Sequence, residues 1–145
     1  MSNEEINRKI AVIFATDLVG YSKHMEKDED ATLLSLRECN KIIEPIIKKQ
    51  KGRIFNTGGD SVFAEFPSAV AAVDTAVEFQ KQIKARNDKD TTEVKLEYRI
   101  GVNMGDVVKE GDNLLGDGVN IAARLEALAQ PGGITISKNV YELVS

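Results

Sequence analysis

Tryptophan is absent from this 145-residue sequence, and cysteine and histidine occur once each, as Cys39 and His24. A lone cysteine cannot form an intrachain disulfide, which excludes a disulfide framework and favours a reducing compartment. The two residues together do not supply the ligands of a zinc site. No apolar run approaches the roughly 20 residues of a membrane-spanning helix, and the polar segment 1–9 is unlike a signal peptide. We therefore expect a cytoplasmic protein whose own chain makes no membrane contact.

The chain is weakly acidic. Its net charge is −4 and its pI is near 5.1. The basic residues are dispersed apart from Lys48, Lys49 and Lys51, which argues against a nucleic-acid-binding surface. A polyanionic substrate would therefore need metal ions or a few well-placed cations. The length of 145 residues and the hydrophobic content of 42% predict one domain, 1–145, with its own core.

Hydrophobic periodicity predicts both strands and helices. The segment 10–15 is continuously apolar, as expected of a central strand covered on both faces. Apolar and charged residues alternate over 94–102, which predicts a half-buried strand. The predicted elements are strands 10–15, 53–56, 62–66, 94–102 and 134–136 and helices 28–50, from 69 onwards, and 119–129. Their order predicts an α+β fold with a ferredoxin-like βαββαβ core, its helices packed on one face of a mainly antiparallel sheet.

Three local predictions accompany this fold. Residues 106–108 are expected to form the second leg of a bent hairpin, and 87–90 a loop. The third helix is expected to face the core with the stripe Ile121, Leu125 and Leu128. Asn120 and Arg124 lie four residues apart, so they share a helical face directed away from that stripe.

The leading candidates for a functional site are two aspartates at the ends of predicted strands. The turn Thr57-Gly58-Gly59 places Asp60 at the tip of a hairpin, and Asp17 ends the first strand. In a ferredoxin-like topology these two ends are neighbours. Two adjacent carboxylates repel unless a cation or a proton intervenes, and oxygen ligands suit magnesium or manganese. Magnesium usually completes its shell with substrate phosphates, so the pair points to nucleotide chemistry. The alternative is that each aspartate is an ordinary turn residue.

The segment Leu18-Val-Gly-Tyr-Ser22 directly follows Asp17 and contains one glycine. It is interpreted as a turn. Its backbone N–H groups are suited to hold an anion beside the carboxylate.

Four segments, in order along the chain, carry a recognisable set of motifs. They are Phe14-Ala-Thr-Asp-Leu-Val-Gly-Tyr-Ser22, Asn56-Thr-Gly-Gly-Asp-Ser61, Tyr98-Arg-Ile-Gly-Val-Asn103 and Leu115-Gly-Asp-Gly-Val-Asn-Ile-Ala-Ala-Arg124. Together they resemble the catalytic domain of class III adenylate/guanylate cyclases. The resemblance implies metal-dependent cyclisation of a purine nucleoside triphosphate, ATP being favoured over GTP, to a 3′,5′-cyclic nucleotide and pyrophosphate for intracellular signalling. It also implies a head-to-tail homodimer with composite active sites.

The resemblance assigns a metal site and a phosphate-binding loop. Asp17, Asp60 and the Leu18 carbonyl would hold two divalent metal ions, Mg²⁺ or Mn²⁺. One ion would lower the pKa of the ribose 3′-hydroxyl for attack on the α-phosphate, and the other would neutralise the leaving pyrophosphate. The β- and γ-phosphates would contact the loop Leu18, Val19, Gly20, Tyr21 and Ser22.

The resemblance also assigns three residues on later elements. The partner's Asn120 would position the ribose, and Arg124 would stabilise charge on the α-phosphoryl oxygens. Arg99 resembles the phosphate-contacting arginine of the family. Without the resemblance, Asn120 and Arg124 would be interpreted as a solvated helix face.

Two positions depart from the family pattern for base recognition. Adenylate cyclases of this family usually carry lysine where Asn56 stands and aspartate where Asn113 stands. Each asparagine offers both a donor and an acceptor, so the pair can bind either purine without strongly rejecting one. Relaxed base choice, weakened activity or no activity is expected. Asp112 is an alternative base-reading acid if the loop register shifts by one.

Two alternatives remain open at this point. The chain is expected to be a truncated domain, because the family domain continues past the position of Ser145 to a phosphate-contacting lysine. A catalytically weak or inactive module for nucleotide binding or dimerisation is therefore the main alternative. Gly58-Gly59-Asp60 also resembles part of the diguanylate cyclase loop, but Ser61 replaces the acid required there.

Overall fold

Strands and helices alternate along the residues that the computed structural model describes, 6–89 and 94–145. The strands are β1 (Asn7–Leu18), β2 (Arg53–Gly58), β3 (Ser61–Phe66), β4 (Tyr98–Glu110), β5 (Asn113–Leu115) and β6 (Ile134–Ile136). The helices are α1 (Tyr21–Lys27), α2 (Glu29–Lys49), α3 (Ala69–Lys89), α4 (Asp117–Leu128) and α5 (Lys138–Val144). None of these described helices combines the length and apolar character that a bilayer crossing requires.

The sheet has the strand order β2-β3-β1-β4 in its central part, and all these pairs are antiparallel. This is the ferredoxin-like arrangement predicted from the element order, and the predicted fold class is confirmed. Two further strands, β5 and β6, both pair with β4, the first antiparallel and the second parallel. β1 therefore lies in the middle of the sheet, where it carries the site.

The predicted central strand is covered on both faces. Val12 and Phe14 belong to the larger core cluster, with α2 and α3. Ile13 and Ala15 point the other way and pack in a second cluster with Ala122 of α4. The two helices of the βαββαβ core, α2 and α3, share one face of the sheet as expected, whereas α4, which follows that core, covers the opposite face.

Several boundaries differ from prediction. β4 begins at Tyr98, so residues 94–97 of the predicted strand 94–102 are not part of a strand. The segment 106–108 is not the leg of a bent hairpin but part of β4, because the 12-residue β1 is long enough to pair with that strand from Leu18 to Asn7. Asn87, predicted in a loop, lies in α3, where its side-chain amide donates to the Leu96 carbonyl at 2.8 Å. Residue 90, at the end of that predicted loop, lies outside the described residues.

Helix α4 turns a different face to the core from the one predicted. Gly118, Ala122 and Glu126 are its buried residues, whereas Ile121 is 39% and Leu128 is 73% exposed. Helix α4 has this orientation because only small side chains fit where it approaches β4 closely. A Cβ at Gly101 of β4 would lie 2.3 Å from the Ala122 carbonyl oxygen, so helix and strand touch through their backbones. The larger apolar residues are thereby left on the outer side.

Candidate active site

Asp17 and Asp60, which the sequence predicts to converge, lie side by side. Asp17 is the penultimate residue of β1, and Asp60 lies in the turn between β2 and β3. The backbone N–H of Leu18 donates to Asp60 Oδ2 at 3.2 Å, which ties the hairpin tip to the end of β1. Burial and the charge of Asp17 raise the pKa of Asp60. Hydrogen bonds from the N–H groups of Asp60 itself and of Leu18 lower that pKa by a smaller amount, so the net pKa is raised. A bound cation would relieve this crowding of negative charge.

The carboxylate of Asp17 lacks a full set of partners. Its Oδ1 atom is buried and accepts no hydrogen bond within the described residues. The nearest cation is Arg99, whose Nη2 lies 3.6 Å away, which is longer than a normal hydrogen bond. A buried carboxylate oxygen in this state suits a hard metal ion. In the described part of the chain, no three or more His, Cys, Asp or Glu side chains form a metal-binding group, so the candidate protein ligands are the two aspartates and the Leu18 carbonyl.

A third carboxylate, Glu126, was missed from the sequence. Its side chain is 9% exposed and lies beside Arg99, with Nε and Oε2 3.7 Å apart. Burial and the adjacent Asp17 carboxyl raise the pKa of Glu126 to about 8, although Arg99 lowers it. The sequence feature that could have identified Glu126 is its spacing of four residues from Ala122 and eight from Gly118, which places it on the face of α4 that carries small residues.

Arg99 lies among acceptors of its own chain. It is the cross-strand neighbour of Asp17 in the β1–β4 ladder. Besides the two carboxylates, its Nη1 donates to the Ala127 carbonyl at 3.4 Å. The arginine expected to contact phosphate is therefore placed directly beside the candidate metal ligands.

The segment from Leu18 to Ser22 turns the chain from β1 into α1. Val19 N–H donates to the Glu97 carbonyl at 2.8 Å, which holds the start of the turn. Gly20 has φ 67°, a left-handed conformation that favours glycine. Tyr21 lies beside the hairpin, since a Cβ on Gly59 would be 3.9 Å from its ring. The segment from Leu18 to Ser22 and the turn between β2 and β3 thus lie on either side of Asp17.

The candidate base-reading residues are on neighbouring segments. Asn56 is exposed on β2, beside an irregularity in its pairing with β3. The Oδ1 atom of Asn113 accepts from the Leu114 N–H at 2.9 Å. Arg53 donates to the Asp112 carbonyl at 2.6 Å, which links the two segments, but no hydrogen bond between the two asparagines is present among the described residues.

Asn120 and Arg124 are exposed on α4 and are not brought to the aspartates of their own chain. Glu126, two residues after Arg124, points to Arg99. Residues two apart on an α-helix point about 200° apart around the axis. Arg124 therefore faces away from the site of its own chain, on the surface available to another molecule.

The sequence profile described as Adenylate and Guanylate cyclase catalytic domain matches residues 3–145. A protein of Rhizobium meliloti (strain 1021) named "Putative adenylate cyclase 3" is 44% identical over 145 residues. That match covers 99% of this chain and 25% of the relative, so the chain spans about a quarter of the relative's length.

Solved structures of similar proteins have the same fold. An adenylate/guanylate cyclase/hydrolase from Silicibacter pomeroyi has a TM-score of 0.86 and 37% identity, covering 95% of this chain and 81% of that one. The adenylyl cyclase CyaB from P. aeruginosa has a TM-score of 0.82 and 29% identity, covering 97% and 83%.

Proposed function

Because the chain belongs to the family of adenylate and guanylate cyclase catalytic domains, we propose that it converts a purine nucleoside triphosphate into a 3′,5′-cyclic nucleotide and pyrophosphate. ATP is proposed over GTP, and the product serves intracellular signalling. The observation that carries the proposal is the pairing of Asp17 with Asp60, where Asp17 Oδ1 is buried without a hydrogen bond from any described residue. Cys39, buried and unpaired, supports a cytoplasmic location as part of the proposal.

The metal requirement follows from the two aspartates. Asp17, Asp60 and the Leu18 carbonyl are the proposed ligands of two divalent ions, Mg²⁺ or Mn²⁺, and the family is generally metal-dependent. Bound there, the ions would supply a lowered pKa for the ribose 3′-hydroxyl and positive charge for the leaving pyrophosphate. The protein's part is to hold the two carboxylates together, which the Leu18 N–H bond to Asp60 supports.

The triphosphate is proposed to lie between the two loops that flank Asp17. In the turn Leu18, Val19, Gly20, Tyr21 and Ser22, the N–H groups of Leu18 and Val19 already donate to Asp60 and to the Glu97 carbonyl. The proposed backbone donors to the β- and γ-phosphates are therefore those of Gly20, Tyr21 and Ser22, at the start of α1. Gly20 and Gly58 leave open space, since a Cβ on either would meet no atom of the described residues within 4 Å. Arg99 adds a cation from the side of Asp17. These groups orient the leaving group and offset its charge.

The active site is proposed to be shared between two chains in a head-to-tail homodimer. Asn120 and Arg124 point away from the aspartates of their own chain, which supports a role in the partner's site. There Asn120 would position the ribose, and Arg124 would stabilise the negative charge that develops on the α-phosphoryl group. The exposed Leu128 on the same helix supplies apolar area for such an interface.

Base selection is proposed to be weak. Asn56 is exposed and offers a donor and an acceptor. Asn113 has one acceptor position engaged by the Leu114 N–H, which favours its amide as a donor to the base. A pair of this kind binds either purine. This same feature favours the second candidate, a nucleotide-binding or dimerisation module with little or no turnover.

Incubation of the protein with Mn-ATP or Mn-GTP, followed by chromatography of the products, tests the proposal. We expect a cyclic nucleotide from wild-type protein and none from Asp60→Ala. Asp74→Ala, which removes an exposed carboxylate from α3, is the matched control and should retain turnover. Nucleotide binding without product would support the second candidate, and a protein that neither binds nor converts nucleotide would contradict both.

A further inference from the structure

Arg53 lies on β2, three residues before Asn56, and the proposed reaction gives it no role. Its guanidinium makes hydrogen bonds to two different parts of the chain. Nη1 donates to the Asp112 carbonyl at 2.6 Å, and Nη2 donates to Glu65 Oε1 at 3.1 Å. Asp112 directly precedes Asn113, the second residue proposed to contact the base. The arginine therefore connects the two segments that carry the base-reading asparagines.

An irregularity in β2 places Arg53 and Asn56 on the same face of the sheet. Arg53 pairs with Glu65 of β3. After a register shift between residues 54 and 56, Asn56 pairs with Phe63. Cross-strand partners share a face, and so do residues two apart in one strand. Arg53 and Asn56 thus share a face although they are three residues apart, because the extra residue reverses the alternation. Phe63 packs in the core cluster of Ala122, so this is the face that α4 covers.

The sheet itself does not join the turn before Asn113 to β2. In the strand order, β2 lies at one end and β5 at the other, with β3, β1 and β4 between them. β5 has three residues, and it is joined to β4 by the exposed turn Gly111-Asp112. The place of this turn relative to β2 therefore depends on contacts outside the ladder, and the bond from Arg53 is such a contact.

The arginine is itself held in a fixed orientation. Its side chain is 43% exposed, and exposed ion pairs contribute little stability by themselves. The planar guanidinium, however, donates to two acceptors at once, which one ammonium group on a flexible chain does less well. Glu65 also accepts from Lys9 Nζ at 2.6 Å. The carboxylate that orients Arg53 is thus fixed from a second side, and Nη1 is directed at the Asp112 carbonyl.

We infer that Arg53 is a positioning residue for base recognition, which holds the turn before Asn113 at a set distance from β2 so that Asn56 and Asn113 contact one purine together. The inference rests on the proposed function. Without Arg53 the two amides would no longer keep a common spacing, and the base would lose hydrogen bonds. The groups proposed to bind the phosphates lie on other segments, so their contacts would be retained.

Other roles for Arg53 make different predictions. If the residue only joins two parts of the surface, its replacement lowers Tm and leaves ligand affinity unchanged. If its positive charge attracts the triphosphate, its replacement weakens the binding of nucleotide and of inorganic triphosphate alike. Only the positioning role weakens nucleotide binding alone and requires Asn113.

The test is calorimetric binding, in the presence of Mn²⁺, of two probes. One is α,β-methylene-ATP, whose Pα–C bond is not cleaved, and the other is inorganic triphosphate, which lacks the base. Arg53→Gln should raise the Kd of α,β-methylene-ATP about fivefold, the order expected for one hydrogen bond, and leave the Kd of inorganic triphosphate unchanged. Arg37→Gln, which removes an exposed arginine from α2, is the matched control and should change neither Kd. Thermal unfolding checks that each variant is folded.

A double-mutant cycle tests whether Arg53 acts through Asn113. Asn113→Ala should weaken the binding of α,β-methylene-ATP, and Arg53→Gln should cause no further loss in that background. Arg53→Lys, which keeps the charge but not the planar group, should give an intermediate loss. It serves as the second variant if Arg53→Gln does not fold.

Kinetics provide an independent readout. Base contacts bind ground state and transition state alike, so Arg53→Gln should raise KM for Mn-ATP more than it lowers kcat. Unchanged affinity for α,β-methylene-ATP in folded Arg53→Gln, an equal loss for inorganic triphosphate, or the same loss with and without Asn113 would overturn the inference. Failure of the proposed function is distinguishable, because wild-type protein would then make no cyclic product whatever the binding measurements give.

Discussion

Replacement of Gly101 by alanine tests how the fold positions the site. The added Cβ would lie 2.3 Å from the Ala122 carbonyl oxygen and 2.4 Å from the Glu126 nitrogen. Both are backbone atoms, so no side chain can rotate away. Ordinary contact begins near 3.4 Å, and helix α4 must therefore move by about 1 Å from the sheet.

The expected cost of this shift has two parts. Forcing one methyl group into a packed interior destabilises by about 1–3 kcal/mol, which for a chain of this size lowers Tm by about 3–10 °C. Helix α4 also carries Asn120 and Arg124. A misplacement of about 1 Å at a distance from the chemistry can reduce turnover on the order of 10²-fold. A 10²-fold loss of turnover corresponds to about 2.7 kcal/mol, so Gly101→Ala should lose both stability and activity by comparable free energies.

The assay combines thermal unfolding with cyclase turnover on the same preparations. Gly58→Ala is the control for stability, because a Cβ there meets no atom within 4 Å in the part of the chain that the structure describes. Its Tm should match that of the wild type. A Gly101→Ala protein with wild-type Tm and wild-type turnover would refute the close contact between α4 and β4 and the positioning assigned to it.

Three further predictions concern single positions. Asn56→Lys should raise the use of ATP relative to GTP, measured as kcat/KM for each, and unchanged or lower ATP use would contradict the assignment of this position to base reading. Burial raises the pKa of Glu65, but Lys9 and Arg53 together lower it further, so its net pKa is lowered. The stabilisation is present above the ordinary carboxyl pKa and lost as pH falls through the lowered value. Urea unfolding of wild type should therefore lose more stability in acid than Glu65→Gln does, and equal losses would contradict this. Cys39 is fully buried and burial raises the pKa of its thiol, so thiol reagents should modify it only after unfolding; rapid labelling of native protein would disagree with its placement.

The strand that carries the site is predictable from sequence because a short, continuously apolar run is typical of a strand covered on both faces. Residues 11–15 of the predicted strand are indeed buried between the two core clusters. The ferredoxin-like topology then places Asp17 beside the hairpin tip, which the Leu18 N–H bond to Asp60 shows. The roles of these residues in binding and turnover stay predictions.

The orientation of α4 is the main failure of sequence reasoning. Large apolar residues usually mark the buried face of a helix, and that rule selects Ile121 and Leu128. In the structure, Ala122 and Glu126 are buried, because Gly101 allows backbone contact where only small residues fit. Sequence periodicity does not show that β4 approaches this helix closely. Sequence reasoning therefore chose the wrong buried face of α4 and missed Glu126, which lies on the correct one.

Complementation between two inactive variants is the measurement that tests the shared active site most directly. Asp60→Ala lacks a proposed metal ligand, and Arg124→Ala lacks the residue proposed to act in the partner's site. Each alone should make no cyclic nucleotide. A heterodimer of the two contains one intact site, so an equal mixture with subunit exchange should recover about a quarter of wild-type turnover. A mixture no more active than its separate components would contradict the composite site.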